Sequence, residues 1–68
     1  MNKQPYEITV QLANTTERHY AFDEVLAHRF ARDASKLRAV HFVEITKGVL
    51  ECIYVNGLKL NPDWDNWE

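Results

Sequence analysis

Apolar and polar residues alternate from Tyr6 to Leu12. Tyr6, Ile8, Val10 and Leu12 share one face, and Glu7, Thr9 and Gln11 share the other. That period of two is the pattern of a strand with one side buried. Asn14-Thr15-Thr16 has turn chemistry, and Arg18 to Phe22 resumes as a second strand that completes a hairpin. From Asp23 to about Arg38 the period lengthens to that of a helix. Phe22, Leu26, Phe30, Ala34 and Leu37 fall in one apolar sector, with Glu24, His28, Arg32 and Ser35 opposite. Asp23 suits the N-cap and Glu24 the positive helix start, while Arg32, Lys36 and Arg38 suit the negative end.

Ala39 to Thr46 is rich in β-branched and aromatic residues and predicts a third strand. Lys47-Gly48 then turns the chain into a fourth, Val49 to Val55. Asn56-Gly57 is a strong hairpin signal, because a type I′ turn needs positive φ at both central positions. Leu58 to Leu60 follows as a short last strand. The order ββαβββ predicts a small α+β domain in which one helix packs on a mainly antiparallel sheet. Residues 1–68 read as one domain, with 61–68 a short acidic C-terminal tail that carries Trp64 and Trp67.

Two-residue turns at Lys47-Gly48 and Asn56-Gly57 would set Glu44 opposite Glu51, Phe42 opposite Ile53, and Ile53 opposite Leu60. One face then carries Val40, Phe42, Ile53, Val55, Leu58 and Leu60, and the helix is expected there. The reverse carries His41, Val43, Ile45, Leu50, Cys52, Tyr54 and Lys59. It is apolar enough to predict a binding surface, unless the first hairpin folds over it. Tyr54, His41, Val43, Leu50 and Lys59 are therefore candidate partner-binding residues. Trp67 joins them as an aromatic anchor near the chain end.

Composition narrows the function. A domain of 68 residues gains little net stability from its core. Cys52 is the only cysteine, so neither an internal disulfide nor a cysteine-rich zinc site can supply a staple. No basic start followed by a long apolar stretch marks a signal peptide, and Val49 to Val55 is too short to span a bilayer. The expectation is a cytoplasmic protein with no membrane contact. A net charge of −2 argues against a general nucleic-acid binder.

Candidate chemistry is sparse. Arg29, Arg32 and Lys36 form a basic stripe on the helix, read either as a contact for an acidic partner or phosphates, or as a solvated face that complements the helix dipole. Glu44 and Glu51 make a carboxylate pair without a pocket to tune it. His19, His28 and His41 lack a metal-ligand spacing, and Cys52 reads as a small apolar filler. With only Gly48 and Gly57 there is no glycine-rich phosphate loop. No catalytic residue, metal site or cofactor is expected.

Three segments read together carry a resemblance: Tyr6 to Leu12, Arg18 to Asp23, and Tyr54 to Trp64 (YVNGLKLNPDW). They resemble the DUF2442-like family, small bacterial domains of unknown function. That family opens on an alternating strand, a turn and a second strand ending in aspartate, and closes on an Asn-Gly turn followed by Asp/Asn-Pro. Members of that family are not established enzymes. Some resemble the partner half of toxin–antitoxin cassettes, and others are joined to a helix-turn-helix domain that this sequence lacks. The resemblance implies no site residue. The expected function is a small protein-interaction module, antitoxin-like or regulatory, bound to a protein partner or to itself as a homodimer. One alternative is a phage-type inhibitor of a host defence or nucleic-acid-processing complex. Another is a weak nucleic-acid binder that uses the basic stripe.

Overall fold

The computed structural model describes residues 4–61. The elements are β1 (Tyr6–Leu12), β2 (Thr16–Ala21), α1 (Glu24–Ser35), β3 (Val40–Lys47), β4 (Val49–Val55) and β5 (Leu58–Leu60). All five strands form one sheet in the order β2-β1-β3-β4-β5, each antiparallel to its neighbour. The expected ββαβββ architecture is thus the observed one. The helix crosses over β1, because β1 is inserted between β2 and β3.

The helix starts where expected. Asp23 caps it, accepting a hydrogen bond from the Leu26 amide at 3.1 Å. It stops at Ser35, three residues short of the expected end. The Ser35 hydroxyl donates to the Arg32 carbonyl and accepts from the Gly57 amide, both at 2.8 Å. This buried serine ties the helix end to the β4–β5 turn. That turn has Asn56 at φ 53° and Gly57 at φ 84°, as a type I′ turn requires. Lys36 lies directly over Gly57.

Two expectations about packing are corrected. The first concerns the sheet. The helix covers Val43, Ile45, Cys52 and Tyr54, and leaves Phe42, Ile53, Val55, Leu58 and Leu60 on the open side. The reason lies in β1. Its apolar face pairs Ile8 with Ile45 and Val10 with Val43, whereas Glu7, Thr9 and Gln11 stand beside Thr46, Glu44 and Phe42. Only the first of these faces is apolar across both strands, so only it can form a core. Val43 and Tyr54, expected to meet a partner, are 0% and 1% exposed. Side chains so deeply buried cannot form a docking surface.

The β3–β4 register also differs from expectation, by two residues at its inner end. Glu44 stands opposite Ile53, not Glu51. The strands run on to Lys47 and Val49, leaving Gly48 alone at the tip with φ 78°, and a bulge at Ile45/Thr46 absorbs the mismatch. A shift of two preserves the faces. The bulges move single residues instead. Leu50 pairs with Thr46 and joins the open side, while Val40 pairs with Leu12 and packs against the core.

The second correction concerns the helix. It meets the sheet through Ala27, Ala31, Ala34 and Ser35, all buried. The stripe expected to enter the core, Phe22, Leu26, Phe30 and Leu37, is instead exposed, and only Ala34 of that sector is buried. Small side chains let the helix backbone approach the sheet closely, which turns the bulky residues toward β2. Trp64 and Trp67 lie outside the described residues.

Candidate functional site

The helix presents different chemistry on two flanks. The flank toward β2 carries Leu26 (55% exposed) and Phe30 (40%), and Leu37 (61%) continues the stripe just past the helix end. Below them β2 forms an outer wall, with the His19 ring edge-on to Phe30 at 4.9 Å. Two adjoining hollows, of about 480 and 490 Å³, share His19, Phe30 and Asp33 and make one apolar groove between α1 and β2. Arg29 and Asp33, one helical turn apart, stand along it. Neither is in an ion pair among the described residues, where the pairs are Arg18–Glu7 at 3.2 Å and His19–Glu17 at 3.4 Å. Large apolar side chains in contiguous exposure mark interaction sites more often than chance.

The opposite flank is polar. His28, Arg29 and Arg32 of α1 line a hollow of about 410 Å³ together with Tyr54 of β4 and Lys59 of β5. The His28 ring is fixed at several points. Its Nδ1 shares a hydrogen bond with the Tyr54 hydroxyl at 2.9 Å, and the Cys52 Sγ lies 3.8 Å from the same nitrogen. The rings of Tyr6 and Tyr54 stand edge-on to it at 6.4 and 5.8 Å. Lys47 lies over the Tyr6 ring at 4.6 Å.

The Cys52–His28 contact has the composition of a nucleophilic dyad but not its environment. Burial pushes the Cys52 thiol above its ordinary value of 9.0, with Lys59 pulling it down and Glu51 pushing it up. The side chain is 1% exposed. A catalytic thiol needs the reverse, an accessible sulfur with a lowered pKa. Cys52 is expected to resist a thiol-reactive dye in the native protein and to react at once in urea; native labelling at the unfolded rate would contradict its burial. Linkage sets a pH limit as well. The unfolded thiol ionises first, so stability is unaffected below about pH 9 and falls as pH rises toward the folded thiol's higher range.

The sequence-derived candidates therefore separate. Val43 and Tyr54 are core residues, although the Tyr54 hydroxyl edge reaches the polar hollow beside Lys59, Arg29 and Arg32. Lys36 is drawn away over Gly57. His41 lies on the open sheet side by a broad depression of about 690 Å³ with Phe42, Ile53, Val55 and Leu60. Leu50 is half-buried on that side. Trp67 is outside the described residues. Among those residues, no three potential metal ligands come together. The groove formed by Leu26, Phe30 and Leu37 was not anticipated. Its signal was the small-residue stripe Ala27, Ala31, Ala34 and Ser35, which competes with the bulky stripe for the sheet.

No family model, curated protein or solved structure matches the chain.

Proposed function

We propose that this protein is a small non-enzymatic interaction module that pairs with a second copy of itself across the α1–β2 groove. The observation that carries this reading is the outward stripe of Leu26 and Phe30 on a helix whose inward face is alanine and serine, continued by Leu37 just past the helix end. Closing that stripe against another surface removes apolar area from water, at about 25 cal/mol per Å².

Self-pairing is favoured over a foreign partner by the charges on the rim. Arg29 and Asp33 lie two residues either side of Ala31. In an antiparallel two-fold pairing of α1 centred near Ala31, Arg29 stands level with the second copy's Asp33, and the exchange is reciprocal. The same pairing stacks Phe30 beside its symmetry mate and sets Leu26 near the second copy's Leu37. One surface thus supplies both halves of a complementary interface. An antitoxin-like or regulatory role is one use of such a dimer, and it rests on the family resemblance alone.

Sedimentation equilibrium tests this reading. The expected mass at tens of micromolar is twice the 8.0 kDa chain. A single 8.0 kDa species up to millimolar concentration would remove it.

A further inference from the structure

We propose that the polar hollow between α1 and the β4–β5 hairpin is a binding site for a small phosphate monoester or free phosphate. Arg29, Arg32 and Lys59 bring three cationic side chains to its lining against one carboxylate, Glu24. None of the three cations is in an ion pair among the described residues. Three cations set against one carboxylate leave an excess of positive charge that a bound anion offsets. Where Arg29 does not face a second copy's Asp33, the surplus is two positive charges, which matches a phosphate dianion better than a carboxylate.

The donors suit the same ligand. Arginine presents a planar fork that fits phosphate oxygens, and lysine adds a point charge. The Nδ1 of His28 is occupied by the Tyr54 hydroxyl, while its Nε2 has no partner among the described residues. The ring therefore stands in the lining with one nitrogen free for a ligand. Val25 adds an apolar wall, where the body of an ester can rest.

Nucleic acid fits less well. A backbone binder spreads its cations along a track, whereas here they surround one hollow, Lys36 is turned aside over Gly57, and the net charge of the chain is −2. The inference does not depend on self-pairing, because Arg32 and Lys59 do not line the apolar groove; Arg29 lines both hollows, so in the dimer, where it faces the second copy's Asp33, Arg32 and Lys59 hold the anion.

The test is a two-dimensional amide NMR titration of the full chain at fixed ionic strength, with inorganic phosphate, adenosine monophosphate and acetate as separate probes. The expected result is saturable shifts centred on His28, Arg32, Tyr54 and Lys59 with either phosphate probe, and at least tenfold weaker binding of acetate. The tighter of the two phosphate probes names the source of the phosphoryl group. Arg32→Gln and Lys59→Gln should each weaken phosphate about tenfold, the loss of one charge-assisted contact, and Arg38→Gln, outside the hollow, should leave it unchanged. Each variant's unperturbed spectrum reports whether it is folded. Shifts that do not saturate, or that persist unchanged in Arg32→Gln, would overturn the site. So would micromolar binding of a single-stranded oligonucleotide that excess phosphate does not displace.

Discussion

Tyr54→Ala will cost the domain about 3–5 kcal/mol of stability, while Tyr54→Phe will cost only about 1 kcal/mol, one net hydrogen bond. Tyr54 is the largest of the fully buried side chains. It pairs across the sheet with Val43, stands edge-on to His28 and holds that ring through its hydroxyl. Truncating a buried aromatic to alanine costs about 3–5 kcal/mol, from lost transfer energy and the cavity left behind. A chain of 68 residues has roughly 3–10 kcal/mol to lose, at about 0.05–0.15 kcal/mol per residue. The alanine cost is thus a large part of the whole, and the phenylalanine cost is not. Urea denaturation followed by far-ultraviolet circular dichroism separates the two. A cooperative Tyr54→Ala transition within 1 kcal/mol of wild type would place Tyr54 on the surface.

Phe30→Glu is expected to do the opposite: weaken self-association and leave the fold intact. Phe30 is 40% exposed, and the helix meets the sheet through other residues. A glutamate there can turn its carboxylate to water in the monomer. In the dimer it would sit beside its own symmetry mate, two like charges in an apolar groove. Phe30 is 40% exposed in the monomer, so each phenylalanine removed forfeits that share of about 1.5–3 kcal/mol, and with two per dimer the dissociation constant should rise roughly tenfold or more. The circular dichroism spectrum should match that of wild type. A Phe30→Glu chain that unfolds would mean this residue belongs to the core.

These opposed outcomes exchange the roles that the sequence suggests for the two aromatics. Local periodicity made the elements and their order legible. Asn56-Gly57 made the last hairpin legible down to Val55 opposite Leu58. Both faces of β3 and β4 are half-apolar, however, so those strands could not say which one the helix takes. The decision came from β1, whose Glu7, Thr9 and Gln11 make one side of the centre of the sheet polar. It needed the non-local fact that β1 lies beside β3. Helical periodicity failed similarly at α1. It weighs Leu and Phe above Ala, whereas close approach to a sheet selects the small side chains. The polar hollow was half legible, since Arg29 and Arg32 stood out as a stripe. Lys59 and His28 join it only through the β4–β5 hairpin and the Tyr54 contact.

The pairing of Arg29 with Asp33 across a two-fold axis is best tested by charge exchange, read as molecular mass in sedimentation equilibrium. Arg29→Asp alone and Asp33→Arg alone should each shift the chain toward monomer, because each sets like charges level across the axis. The double variant should recover the wild-type dimer, since the two charges have only traded places. Singles that dimerise as well as wild type, or a double variant that stays monomeric while folded, would contradict an antiparallel α1 interface.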